Sequence, residues 1–216
     1  MLQLSLPQAM ANADTVMASA ELPASPDEVG AALITREVER WWGSPETYRM
    51  TGWNADLRVG GSWRVTVRTA DGRRLPAGGE FLEIEMPRRI VQTRRYDWDH
   101  PALGRRETTL AYLLEPIAGG TRLTICHGGF AGFPDAAAEH AEGWARVLGW
   151  LQGYFGGAAF PSPLWEKVSP KATDEGCSRE NQRLTPLEHP SSVSALRADP
   201  PSPTRGLLRN WLVVIL

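Results

Sequence analysis

Residues 135–155 read DAAAEHAEGWARVLGWLQGYF. At helical spacing this stretch puts Ala137, Ala141, Trp144, Leu148, Leu151 and Phe155 on one stripe, in steps of four and three residues that keep an apolar face turned one way. The spacing predicts one long amphipathic helix. Gly149 and Gly153 count against it, each by about 1 kcal/mol relative to Ala in an exposed helix. A helix with such a stripe must lie on another layer, and the chain before it, residues 15–127, reads mainly as strands. The economical picture is an α+β domain in which a curved antiparallel sheet of six to seven strands wraps around one closing helix.

The strands follow from period-two patterning. Val16, Ala18, Ala20 and Leu22 share one parity of the first strand. Ser25-Pro26-Asp27-Glu28 then supplies an N-cap Ser, Pro at the first helical position and Glu at N3, a capping box ahead of Val29, Ala32 and Leu33. A second short helix is expected from Thr35 to about Trp42, and residues 44–53, without a clear period, are expected to be loop. From Asp56 a meander begins. Leu57 and Val59 run to Gly60-Gly61, and Trp63, Val65 and Val67 alternate up to the Asp71-Gly72 turn signal. Glu80, Leu82, Ile84 and Met86 are expected on one face. Residues 90–98 form a strand whose inward set is either Val91, Thr93 and Arg95 or Ile90, Gln92, Arg94 and Tyr96, since a one-residue slip exchanges the faces. Thr108, Leu110, Tyr112 and Leu114 make a clearer inward set, followed by Leu123, Ile125 and His127.

Domain boundaries follow from texture. Residues 1–13 are expected to be a flexible N-terminus, residues 14–158 the domain, and residues 159–216 a Pro-rich tail too poor in regularly placed apolar residues to offset its ordering entropy. The tail closes on the apolar run LLRNWLVVIL, far short of the roughly 20 residues that cross a bilayer. No signal peptide is expected, because MLQLSLPQAMANA has no basic start and Pro7 cuts its apolar run.

Composition narrows the function classes. The chain has 216 residues, 42% of them hydrophobic, and a formal net charge of -2. No global basic field exists for nucleic acid. Cys126 and Cys177 form neither a disulfide framework nor a CxxC metal pair, which fits a reducing cytoplasm. Basic charge before Gly157 is carried by arginine alone, both lysines lying later. With the abundance of Ala, Gly, Pro and Trp, this points to a GC-rich, bacterial genome.

Several stretches, in order, resemble a known family: ASPDEVGAALI, RWWG, DLRVGGSWR, GEFLEI with RRIVQT, GGTRLTICHGGF and HAEGWARVL. Together they look like bacterial members of the SRPBCC superfamily, specifically proteins similar to the C-terminal domain of the Hsp90 ATPase activator. The resemblance covers about residues 15–155 and implies the helix-grip fold of START and birch-pollen-allergen-like proteins. That scaffold hosts carriers, cyclases, resistance proteins and co-chaperones, so fold alone does not assign activity. Two positions depart from the family pattern. Arg94 stands where an aromatic is common, and Gly30 stands where a Trp or Tyr is common, which would enlarge the space beneath the first helix. The separate Hsp90-binding domain of the eukaryotic activator is not expected, so the co-chaperone role does not transfer with the resemblance.

If the helix closes the concave side of the sheet, the enclosed surface draws on Trp63, Val65, Leu82, Leu110, Tyr112, Ile125, Trp144, Leu148 and Leu151. An apolar wall with a few placed polar groups is what small-molecule pockets show, although the same residues also suit a filled core. A buried indole N–H in such a wall needs an acceptor. Glu80, Tyr112 and His127 are the polar residues expected on the inward parity, with Arg94 or Arg95 as a carboxylate partner. His127 and His140, if they face each other, would suit a metal or a proton relay. Against that, two histidines without a third ligand are also what satisfied core histidines look like, and no metal or cofactor is expected. No nucleophile elbow or phosphate loop occurs, since Ser62 lies in GGSWR and neither glycine pair is followed by GK[ST] or opens a GxGxxG. The expected function is non-catalytic binding of a small hydrophobic or aromatic molecule, as carrier or sensor. The alternatives are a cyclase- or dehydratase-like enzyme acting on a polyketide or similar ligand, and a protein-interaction module.

Overall fold

The computed structural model describes residues 5–157. In chain order they form β1 (Gln8–Ala11), β2 (Thr15–Leu22), α1 (Pro26–Ile34), α2 (Val38–Trp41), β3 (Tyr48–Ala55), β4 (Ser62–Thr69), β5 (Arg74–Glu85), β6 (Arg89–Tyr96), β7 (Thr108–Ile117), β8 (Gly120–Gly128) and α3 (Pro134–Gly156). The strands make one antiparallel sheet in the order β1-β2-β8-β7-β6-β5-β4-β3. This is an α+β helix-grip fold, with the two short helices placed after β2, α1 behind its Ser25 cap and α2 starting at Val38 rather than at the expected Thr35, without a side-chain hydrogen bond from its N-cap residue. The expected tail lies outside the described residues.

The strand count rises to eight for two reasons. Gln8–Ala11, placed in the flexible N-terminus by texture, instead pairs with β2 in register from Gln8 opposite Ser19 to Ala11 opposite Val16. Residues 48–55, expected as loop, are β3, with Tyr48, Met50 and Trp53 all buried. The missing period has a physical cause. A β-bulge falls between Thr51 and Asn54, and Gly52 holds a φ of 68° there, so the buried residues change parity within one strand. Conversely, Leu57 and Val59, read as the start of the meander, are about half or more exposed in the turn that follows β3.

α1 carries the anticipated capping box. Ser25 Oγ accepts from the Glu28 backbone N–H at 3.3 Å, and Glu28 Oε2 accepts from the Ser25 backbone N–H at 2.8 Å. Indole donors tie the short helices to each other and to the sheet. Trp41 Nε1 donates to the Ala32 carbonyl at 3.0 Å and Trp53 Nε1 to the Ile34 carbonyl at 3.1 Å, while Glu39 Oε1 accepts from the Trp53 N–H at 2.8 Å. Gly30 opens no space beneath α1, because Met86 occupies it and a Cβ there would lie 2.4 Å from Met86 Cε.

α3 runs closest to β2 and β1, at one side of the sheet. Across the rest of the concave face, large side chains fill the gap: Trp41, Trp63, Trp144, Tyr48, Tyr112, Phe81, Phe130 and Arg94 are all fully buried. The inward stripe of α3 is wider than the periodicity suggested, with Ala136, His140, Gly143, Val147 and Trp150 buried beside Ala137, Trp144, Leu148 and Leu151.

Candidate functional site

β6 decides what the interior contains. Its pairing sets Ile90 opposite Tyr112, Gln92 opposite Leu110 and Arg94 opposite Thr108, so Ile90, Gln92, Arg94 and Tyr96 face inward. Of the two arginines in question, Arg94 is buried and Arg95 faces solvent. The expected wall is placed between sheet and helix with one exception: Trp63, Val65, Leu110, Tyr112, Ile125, Trp144, Leu148 and Leu151 are buried, but Leu82 is exposed on the outer face. Glu80 is also on the outer face, and Phe81 takes the inward position instead. A one-residue bulge between Phe81 and Glu83 is responsible. The parity read from Ile84 backwards is correct only as far as that bulge, and beyond it the faces exchange.

The interior holds a chain of neutral polar contacts. Trp144 Nε1 donates to His127 Nδ1 at 3.1 Å. His127 therefore carries its proton on Nε2 and donates it to Thr108 Oγ1 at 2.9 Å, while Thr108 in turn donates to the Arg94 carbonyl at 3.2 Å. His140 is fixed in the opposite tautomer: its Nδ1–H donates to the Ala136 carbonyl at 2.8 Å, leaving Nε2 to accept from the Tyr96 hydroxyl at 3.0 Å. His100 stacks on Tyr96 with ring centroids 4.6 Å apart. Desolvation lowers all three imidazoles, His100 to about 4, His140 to about 3 and His127 well below its ordinary value. His127 and His140 do face each other, with centroids 5.4 Å apart. All four of their ring nitrogens are already hydrogen-bonded, so the pair is built for neither a metal nor a ground-state proton relay. His140 also shows that α3 brings polar chemistry to the interior, where an almost wholly apolar stripe was expected.

Arg94 is the exception to this satisfied network. Its guanidinium lies among three indoles, with Cζ 5.7 Å from the Trp42 ring centroid, 5.8 Å from Trp144 and 6.0 Å from Trp63. Among the described residues no carboxylate pairs with it. Burial disfavours its charge while the phenols of Tyr96, Tyr112 and Tyr48 favour it, and a guanidinium stays protonated under such opposing influences. Cation–π contacts are worth up to about 2 kcal/mol when desolvated, and these sit at the outer limit of their range of about 6 Å. Burying an ion costs several kcal/mol even after relaxation. The indoles thus offset only part of the cost. The deficit is visible in atoms: Arg94 Nε is buried with no hydrogen-bond partner, and so is Gln92 Oε1, two residues away on the same face. Tyr112, also inward, is held as a neutral phenol, pushed up to about 12 by burial against the opposing pull of Arg94.

Among the described residues, hollows lie outside this interior. One, of about 400 Å³, is on the outer sheet face beside Arg64, Glu80, Leu82, Arg95, Asp97 and Glu107. Another, of about 420 Å³, lies between the start of α3 and Pro101-Ala102. Among the described residues no group of three or more His, Cys, Asp or Glu side chains is placed to hold a metal ion, and no helix is long and apolar enough to cross a membrane.

Comparison with known proteins agrees with this architecture. Residues 23–156 match the family model described as Activator of Hsp90 ATPase homolog 1-like protein. The chain belongs to that family. No curated protein matches the chain. Among solved structures, it is similar to a protein from Rhodobacter sphaeroides at 22% identity and a TM-score of 0.62, covering 71% of this chain and 100% of that one. A protein from Chromobacterium violaceum is similar at 26% identity and a TM-score of 0.57, over 65% of this chain and 96% of that one. One from Arthrobacter aurescens shares 23% identity at a TM-score of 0.62, covering 72% and 94% respectively. These likenesses establish the Hsp90 ATPase activator homologue-like fold across the domain, a scaffold compatible with a ligand-binding or a co-chaperone-like module. In this member of the family, Arg94 was flagged by its departure from the usual aromatic. The His100–Tyr96 stack was missed, because His100 sits in a loop without periodicity.

Proposed function

We propose that the protein binds a small molecule with an aromatic or apolar body between its sheet and α3, as a carrier or sensor in the cytoplasm. The observation that carries this reading is the pair of unpartnered, buried polar atoms, Arg94 Nε and Gln92 Oε1, set within an aromatic wall. A core selected only for stability has no reason to retain them, since each unsatisfied group costs about 1–3 kcal/mol. A ligand that supplied their partners would recover that cost. Room for it would come from rotation of the side chains that fill the gap between α3 and the central strands. Native mass spectrometry and solvent extraction of the purified full-length protein are expected to find a bound molecule. Titration with a panel of aromatic and aliphatic compounds is expected to quench the fluorescence of Trp42, Trp63 and Trp144. An empty protein that no compound quenches would sink the reading.

The cyclase or dehydratase alternative draws less support. Glu80 lies on the outer face, His127 has both ring nitrogens engaged, and Tyr112 is a neutral phenol over the ordinary pH range. The interaction-module alternative has one observation in its favour, the charged hollow on the outer sheet face. Retention of a partner by the wild type but not by an Arg64→Glu, Arg95→Glu variant would support it.

A further inference from the structure

Granted a ligand between sheet and helix, the interior also specifies that ligand's charge. We propose that Arg94 is an anion anchor and that the site takes a monoanionic carboxylic acid with an aromatic or aliphatic body, its carboxylate paired with the Arg94 guanidinium. The charge count leads there directly. Among the described residues, every other titratable group facing Arg94 is neutral: the phenols Tyr48, Tyr96 and Tyr112 interact with it, and His127 and His140 are held as neutral imidazoles by hydrogen bonds at both ring nitrogens. The described residues therefore give the enclosed site a single positive charge, and one negative charge neutralises it.

Geometry selects a carboxylate over other anions. The guanidinium presents a planar fork that matches two carboxylate oxygens, whereas a phosphate dianion would demand a second cation, which the described residues do not place in this interior. The three indoles around Arg94 leave its flanks apolar, which suits the carbon body of an acid and not a heavily hydrated inorganic ion. Gln92 adds a second requirement. Its Oε1 is an acceptor without a donor, on the same inward face of β6 with its Cα roughly 6–7 Å from that of Arg94 by strand rise. An acid that also carries a hydroxyl offers a donor for that atom.

The test is calorimetric titration of the full-length protein with acid and primary amide pairs of the same body: 4-hydroxyphenylacetic acid and its amide, phenylacetic acid and its amide, decanoic acid and decanamide. An acid is expected to bind roughly 30-fold or more tightly than its amide, the scale set by losing one partner of a desolvated charge pair. 4-Hydroxyphenylacetic acid is expected to exceed phenylacetic acid. Arg94→Met is expected to bring acid and amide to equal affinity, and Arg94→Lys to retain part of the preference. Equal binding of acids and amides by the wild type, or binding of neutral compounds alone, overturns the anion anchor while leaving small-molecule binding intact. Binding of nothing in the panel, with no molecule co-purifying, overturns the broader reading and this one with it. Because the decisive comparison uses the wild type, it holds even if a variant fails to fold.

Discussion

Thr108 and Arg94 lie opposite each other on neighbouring strands, yet their energetic roles are opposed. Thr108 Oγ1 accepts from His127 and donates to the Arg94 carbonyl, so its loss strands a buried N–H. Thr108→Val, which keeps the shape, is expected to lower stability by about 1–3 kcal/mol in urea unfolding. Arg94→Met should do the reverse of what its burial suggests. Replacing an unpaired buried ion by an apolar side chain of similar length is often neutral or stabilising, so the ligand-free variant is expected to unfold at the same urea concentration or higher, by up to about 2 kcal/mol. A loss of several kcal/mol in that variant would mark Arg94 as a structural residue. Residue types in this site were legible where they interrupted an apolar pattern, as His127 does, or departed from the family pattern, as Arg94 does. Which atoms were satisfied was not, since most of those bonds join groups 14 to 44 residues apart in the chain.

The helices behave as local sequence dictates. Ser25→Ala removes the acceptor of the α1 capping box and is expected to cost about 1 kcal/mol by thermal or chemical unfolding. Gly149 in α3 has nothing within 4 Å of an added Cβ, so Gly149→Ala is expected to raise stability by roughly 0.5–1 kcal/mol. An unchanged or lower midpoint would mean that the helix needs a glycine at this position. α3 also ends as helices commonly do, on Gly157 in the left-handed conformation at a φ of 65°. Strands were read less completely. β2, β4, β7 and β8 alternate cleanly and their inward sets were correct. β3 and β5 each contain a bulge, and there period-two reading fails, hiding Trp53 and Phe81 and sending Glu80 and Leu82 to the wrong face.

On the scale of the whole molecule, three histidines buried as neutral imidazoles make folding a titration. Their folded values lie below the ordinary value near 6.5, so as pH falls the unfolded chain takes up protons first. Stability is full above about pH 6.5 and drains away between there and the folded values, about 4 for His100 and about 3 for His140. At pH 5 each such histidine should have cost on the order of 1–2 kcal/mol, a loss to be read as the difference in urea unfolding between pH 7.5 and pH 5. His100→Asn, which keeps an acceptor for the Ala102 N–H now bonded to Nδ1 at 3.2 Å, is expected to make that difference smaller. By itself the sequence determined the layers of this protein: a capped helix, alternating strands and a long amphipathic helix are short-range patterns, and an apolar face of each kind has few ways to be covered. Only the tertiary structure decided the inward face of β6, the eighth strand, and the isolation of Arg94 among indoles and phenols. Register, edge pairing and the lack of a counter-charge among the described residues are set by segments far apart in the chain, and no local pattern encodes them.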